Sequence, residues 1–170
     1  MRILGIDPGY GITGFGLIES ERGQNRLLQC GAITTPPGMD FSARLEIIYE
    51  DMRKLLELSK PDAVAIEELF FGQNVTTGIG VAQSRGVILL AIRQAGLEVT
   101  SYKPMQVKQA LVGYGNATKH QMQDMTKRLL HLNEMPKPDD AADAIAIALC
   151  HGRSATSLLA QAQQNLGGFV

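Results

Sequence analysis

The first 34 residues constrain the fold more than any other stretch of this chain. Three strand-like runs, Arg2 to Asp7, Ile12 to Ser20 and Arg26 to Thr34, are separated only by Pro8-Gly9-Tyr10-Gly11 and by Glu21 to Asn25. Neither break is long enough for a crossover helix, and strands joined by turns pair antiparallel. After Pro36-Pro37-Gly38 the pattern changes period. Leu45, Ile48, Met52 and Leu55 recur at helical spacing until Ser59-Lys60-Pro61, which predicts an amphipathic helix. Ala63-Val64-Ala65-Ile66 then forms a short apolar run ending at Glu67, followed by a polar loop, a helix over roughly Thr76 to Ala95 and a strand near Leu97 to Tyr102. An antiparallel meander continued by strand-helix-strand units predicts an α/β fold with a five-stranded mixed sheet. Three antiparallel strands come first, then two parallel ones, with helices on the faces because parallel crossovers need that cover. Two more helices are expected, about Lys119 to Leu132 and Asp140 to Gly152.

With 170 residues, 45% of them hydrophobic, the chain suits one domain that buries about 70% of its unfolded surface. We expect that domain to span 1–153. The Ser, Gln and Gly rich segment 154–170 is weakly patterned and expected to be a partly mobile tail. Apolar runs such as Val87 to Ile92 and Ala144 to Cys150 fall short of the ~20 residues that cross a bilayer. No secretory signal precedes the first strand, so a cytoplasmic location is expected. Cys30 and Cys150 stand alone inside apolar runs and read as buried free thiols, not zinc ligands. A net charge of -1 argues against coating nucleic acid by bulk charge and leaves a local basic surface possible in principle.

Four acids stand out. Asp7 closes the first strand and Glu67 the fourth, two strands that this topology makes plausible neighbours. Glu68 follows Glu67 directly, but strand alternation sends the two side chains to opposite faces. Asp140 and Asp143 lie three residues apart at the start of an otherwise apolar helix and project from nearly one face. Turn preference would explain Asp7 alone, and helix capping would explain Asp139 or Asp140. Neither explains Asp143 among alanines and isoleucines, where a charge needs a partner. Carboxylates about 5 Å apart repel by roughly 3 kcal/mol per pair at an effective dielectric near 20, so convergence of the four requires a cation. An all-oxygen donor set suits Mg²⁺, with Mn²⁺ as the alternative. Two such ions about 3.5–4 Å apart would support in-line displacement at a phosphodiester.

Five ordered motifs extend this reading: Gly5-Ile6-Asp7-Pro8-Gly9 with Thr13-Gly14-Phe15-Gly16, Ala65-Ile66-Glu67, Gln83-Ser84-Arg85-Gly86, Gln106-Val107-Lys108, and Asp140-Ala141-Ala142-Asp143-Ala144. Together they resemble the RuvC-type Holliday junction resolvases, crossover junction endodeoxyribonucleases with a ribonuclease H-like fold, over nearly the whole chain. The resemblance implies that Asp7, Glu67, Asp140 and Asp143 are catalytic metal ligands. It also implies a homodimer that nicks two strands of a four-way DNA junction symmetrically, in recombination and repair, with a branch-migration helicase complex as a further partner. Asp139 is left outside this set, as a helix cap or peripheral ligand.

The stretch from Lys103 to Arg128 is locally basic, with Lys103, Lys108, Lys119, Lys127 and Arg128 against Asp124 alone. Thr118 and Gln121 form a capping pattern that puts Lys119 in a helix first turn, where a cation costs about 0.3–1 kcal/mol unless an anion binds. A DNA phosphate would resolve that conflict, with His120 beside it. Lys108 and Lys119 match basic positions that the family places near the scissile phosphate. Phe70, one of two adjacent aromatics just beyond Glu67, matches the family's junction-stacking aromatic. His131 and His151 read as helix-surface or capping residues. The helix carrying Val81, Val87, Ile88, Leu89, Leu90 and Ile92, with Gly78, Gly80 and Gly86, has more apolar surface than one sheet face needs, which predicts self-association. Three alternatives remain at this point: a related ribonuclease H-like nuclease acting on RNA, an actin or sugar-kinase type ATPase, which the chain's length disfavours, and a non-catalytic scaffold, which the intact acid set disfavours.

Overall fold

The computed structural model describes residues 1–69 and 75–166; for 75, 76 and 156–166 only the backbone is considered. Strands β1 (Arg2–Asp7), β2 (Ile12–Glu21) and β3 (Gln24–Thr34) are followed by α1 (Phe41–Ser59), β4 (Ala63–Glu67), α2 (Val75–Gln94) and β5 (Val99–Tyr102). Helices α3 (Pro104–Val112), α4 (Lys119–Leu130) and α5 (Asp139–Leu166) complete the order. The strands form one sheet in the order β3-β2-β1-β4-β5. β1 pairs antiparallel with β2, and β2 with β3, whereas β4 is parallel to both β1 and β5. The expected mixed sheet is therefore present, with its strand directions as read. The β2–β3 turn is tighter than expected. Arg22 and Gly23 both have positive φ, 49° and 83°, which lets two central residues reverse the chain and carry both strands to within one residue of the turn.

Strand alternation sorts the sheet into two faces. Leu4, Ile6, Val64 and Ile66 pack against Ile48, Met52, Ile88 and Ile92 of α1 and α2. Ile3, Ile18, Ala65 and Tyr102 pack on the other side against α5, with Val107 and Leu111 of α3 and Leu130 of α4. Within α5 the buried run Ala144 to Cys150 forms the centre of this second layer. Burying one such Ile or Leu is worth about 1.5–3 kcal/mol, so the two layers anchor the sheet from both sides.

Three glycines let α5 lie directly on the sheet. A Cβ at Gly5 would stand 2.0 Å from the Ala144 carbonyl oxygen, and one at Gly14 2.0 Å from that of Asp140. One at Gly16 would meet Ile145 Cγ1 at 2.5 Å. Gly5 and Gly16 face one another across the β1–β2 ladder, as do Asp7 and Gly14. The helix backbone thus occupies the room that side chains would fill, and its first turn is pressed onto the end of β1.

Two elements depart from the sequence reading. Helix α3 was not expected, because its nine residues carry only Val107 and Leu111 as buried apolar positions, too few to show a period. Helix α5 does not stop at Gly152 but continues to Leu166. Cys150 is buried and Cys30 half-buried, both free. No described helix is long and apolar enough to cross a membrane.

Candidate active site

Side-chain parity brings the acids together. Ile3, Gly5 and Asp7 of β1 and Ala63, Ala65 and Glu67 of β4 point to the α5 face. The parallel register of Ile6 with Ile66 sets Asp7 and Glu67 side by side at the carboxyl edge of the sheet. Above them sits the first turn of α5, held down by Gly14. Two strand ends and one helix turn therefore bring Asp7, Glu67, Asp140 and Asp143 to one edge of the sheet, where Asp7 feels the charge of the other three.

The turn after Asp7 is fixed from within. Thr13, fully buried, donates its hydroxyl to the Gly9 carbonyl at 2.6 Å and accepts from the Gly9 N–H at 3.4 Å. A Cβ at Gly9 would stand 2.1 Å from the Ile12 carbonyl oxygen, so only glycine closes this turn. On the far face of the sheet, Arg85 of α2 donates to the Glu67 carbonyl at 3.2 Å and to Ser101 at 2.7 Å. It thereby ties the ends of β4 and β5 together. Arg85 lies in one of the sequence motifs, but its task there, holding Glu67 through the backbone, has no signal in spacing or composition.

The electrostatics record the crowding. Burial, followed by the charges of Glu67, Asp143 and Asp140, pushes Asp7 up to about 8. Glu67 is raised by burial and then by Asp143, and it lies within hydrogen-bond reach of Asp7. Asp143 is raised by burial against the opposing pull of Lys119. Burial and these neighbouring charges thus favour the protonated form of Asp7 beside Glu67. Among the described residues no three His, Cys, Asp or Glu side chains close on one point as a formed metal cluster. The donor chemistry fits a hard divalent cation: all four candidates are carboxylates, and Asp7, Glu67 and Asp143 are each raised in part by a neighbouring acid.

Neither aspartate at the head of α5 acts as a cap. The Ala141 N–H is taken by the Pro138 carbonyl at 3.0 Å, and among the described residues no backbone N–H binds either carboxylate. Asp139 instead pairs with Lys119 at 2.9 Å, and Lys119 also lies 3.8 Å from Asp143. Thr118 and Gln121 do form the expected capping box of α4. The cation in that first turn is answered within the chain by aspartates of α5. Both pairs are solvent-exposed and so worth at most about 1 kcal/mol, which leaves the ammonium free to change partners. His120 turns to Asp124 at 3.2 Å and not toward the acids. His131 caps α4 in a left-handed conformation, whereas His151 is half-buried and bonded to the Tyr102 hydroxyl at 3.0 Å, neither a surface nor a capping residue.

Lys108 also reaches the site. Glu67, Lys108, Lys119 and Asp143 line one cleft of about 230 Å³ with Pro104, Val107 and Met122. The Lys108 charge lowers Glu67 slightly against the effect of burial. Two lysines on separate helices, α3 and α4, thus flank the acids. Phe70 lies outside the described residues.

The family model for crossover junction endodeoxyribonuclease RuvC matches residues 3–151. The chain belongs to this family. A RuvC from Chloroflexus aurantiacus is 52% identical over 158 residues, covering 93% of this chain and 96% of that one. The solved RuvC of Thermus thermophilus superposes with a TM-score of 0.86 at 38% identity, covering 92% and 96% of the two chains. The same protein solved in complex with Holliday junction substrate gives 0.86 and 38% over 91% and 94%. The RuvC match thus spans β1 to the middle of α5, the elements that carry all four acids and both cleft lysines.

Proposed function

We propose that this protein resolves four-way DNA junctions by divalent-metal-dependent hydrolysis of one phosphodiester per active site, with Asp7, Glu67, Asp140 and Asp143 as the metal ligands. The observation that carries the proposal is the gathering of four carboxylates at one sheet edge, where Asp7 is raised by the charge of the other three, within a family of crossover junction endodeoxyribonucleases. Mg²⁺ suits the all-oxygen set, two ions suit four carboxylates, and Mn²⁺ would substitute. When bound, the ions would activate the attacking water and stabilise the leaving oxygen of an in-line displacement, in which one phosphorus–oxygen bond forms and one breaks.

The residues of the chain have distinct tasks in this scheme. Asp7 gives up its proton as metal enters, so affinity rises with pH. Glu67 faces it from the neighbouring strand, and Asp140 and Asp143 close the set from above. Lys119 leaves Asp139 for the scissile phosphate, and Lys108 supports the same charge from α3. We expect Lys119→Ala to lower the cleavage rate by roughly 10²-fold, the scale of one lost charge-stabilising donor. Asp139→Asn should be mild, since it only frees Lys119. Single-turnover cleavage of a labelled junction separates the two variants. Phe70 remains our choice for the residue that stacks at the junction centre.

A homodimer gives the two symmetric nicks. Ile79 and Leu90 are about half exposed and sit eleven residues, close to three turns, apart on one face of α2. Gly86 lies on that face with no neighbouring atoms around its Cβ position, so a second helix has room to approach closely. Ile88 and Ile92, by contrast, are spent on the core. A branch-migration helicase as partner belongs to the same proposal and rests on the family resemblance.

The test is to map nicks on a four-way junction and on a linear duplex of the same sequence, with and without Mg²⁺. Paired symmetric nicks on the junction alone, only with metal, are expected. Equal cutting of the duplex would remove junction selectivity from the reading.

Linkage supplies a second expectation. A carboxyl raised from 3.8 to about 8 binds protons more tightly in the folded state, so its contribution is full below pH ~4 and is lost as pH rises toward 8. The metal-free melting temperature of Asp7→Asn should therefore exceed that of the parent by a margin that widens between pH 5 and pH 8.5. For a domain of this size each kcal/mol corresponds to about 2–4 °C. Saturating divalent metal should close or reverse the gap, because it stabilises only the parent's site. Differential scanning fluorimetry across pH, with and without metal, measures both effects.

A further inference from the structure

Among the exposed large apolar residues are Met105, 62% exposed, and Tyr114, 43% exposed, carried by two segments that meet beside the cleft. Met105 follows Pro104, a cleft-lining residue, in the first turn of α3. It lies three residues before Lys108, so the two are neighbours on the helix surface. Tyr114 belongs to the loop that leaves α3 at Gly113 and delivers the chain to Thr118 and Lys119 at the head of α4. The two segments touch at Gly115. A Cβ there would stand 2.5 Å from Met105 Cγ and 3.1 Å from its Sδ, so the thioether lies flat across a glycine and is held at the loop while still facing solvent.

The surroundings are cationic. Lys103 begins α3, whose first turn holds no acid, and among the described residues neither Lys103 nor Lys108 makes an ion pair. Lys119 holds its aspartates only through exposed pairs. An exposed aromatic and a thioether thus lie on segments that also carry Lys103, Lys108 and Lys119, next to a cleft lined by the latter two lysines, which puts apolar groups beside a track for a polyanion. Single-stranded nucleic acid has that chemistry, with bases on one side and phosphates on the other.

Resting on the junction-cleaving reading above, we infer that Tyr114 and Met105 form a stacking platform for one unpaired nucleobase of the cleaved strand, next to the scissile phosphate. The platform positions the strand and discriminates among bases at that position by stacking strength. It is distinct from the four acids and from Phe70, which belongs to the segment that follows β4.

An abasic scan tests this. The full chain, in Mg²⁺, cleaves a set of four-way junctions in which each nucleotide within four of the cut is in turn made abasic, and the set is repeated with Tyr114→Ala, Tyr114→Phe and Met105→Ala. For the parent, one abasic position should slow single-turnover cleavage by ~5- to 150-fold, the range of one base–aromatic stack. Tyr114→Ala should lose a similar factor on the intact junction and lose nothing further at that position, while Tyr114→Phe stays close to the parent. Because Tyr114 is exposed, the variants should melt as the parent does. If the parent cleaves the junction but the Tyr114→Ala and abasic losses multiply at every position, or if Tyr114→Ala loses nothing, the platform is wrong and the nuclease reading stands. If the parent cleaves no junction at all, both fall.

Discussion

Asp7→Asn is expected to abolish junction cleavage, by on the order of 10³-fold or more, while leaving the fold intact and the metal-free protein more resistant to heat. The size follows from cooperation: when groups act as one unit, removing a single member costs nearly as much as removing all. The sign of the stability change follows from burial. Asp7 closes β1 beneath the first turn of α5, and burial together with the charges of Glu67, Asp143 and Asp140 pushes it up to about 8. An amide of the same shape carries no charge to desolvate and no repulsion to relieve. Activity and stability thus move in opposite directions at one atom pair, the pattern expected where a site is held strained for function. Cleavage rates and melting curves on the same preparation measure both. A variant that loses activity by unfolding would show the reverse stability change.

Gly14→Ala is expected to damage both stability and activity, although glycine 14 carries no chemistry. Its added methyl would stand 2.0 Å from the Asp140 carbonyl oxygen, 2.3 Å from the carbonyl carbon and 2.9 Å from the Ala141 nitrogen. These are backbone atoms of α5 and cannot rotate aside. Overpacking against movable side chains costs about 1–3 kcal/mol, so this change should reach the upper end, about 3 kcal/mol, or some 6–12 °C in melting temperature. The helix can relieve the clash only by lifting its first turn from the sheet, which draws Asp140 and Asp143 away from Asp7 and Glu67. A displacement near 1 Å costs about 10²-fold in rate. Thermal melts and single-turnover cleavage at a temperature where the variant is folded separate the two losses. Gly5→Ala meets the Ala144 carbonyl oxygen at 2.0 Å and should destabilise comparably, with a smaller effect on rate because it lies one full turn deeper along α5.

Much of the site was legible before any coordinates. Strand ends at Asp7 and Glu67 follow from two apolar runs and a parallel crossover, and parity alone chooses Glu67 over Glu68. Asp140 and Asp143 follow from three-residue spacing on one helix. What the sequence could not display are the distances between elements. The glycines at 5, 14 and 16 stand in the first motif, but only their contact with α5 shows that they set the depth of the helix. Helix α3 escaped because two buried positions make no period. The exposed pairing of Lys119 with Asp139 links α4 to α5 and is encoded by no local pattern. Arg85 likewise acts through a carbonyl, and carbonyls are invisible to side-chain pattern. The length of α5 was underestimated because polar residues past Gly152 blurred its period.

The central claim, that the four carboxylates hold the metal that cleavage requires, is most directly tested by Mn²⁺ titration followed by electron paramagnetic resonance on the parent and on Asp7→Asn, Glu67→Gln, Asp140→Asn and Asp143→Asn. We predict saturable binding of two ions per chain in the parent, weakened at least about tenfold in each variant, with junction cleavage lost in the same order as binding. Undiminished Mn²⁺ binding in all four variants would contradict the account.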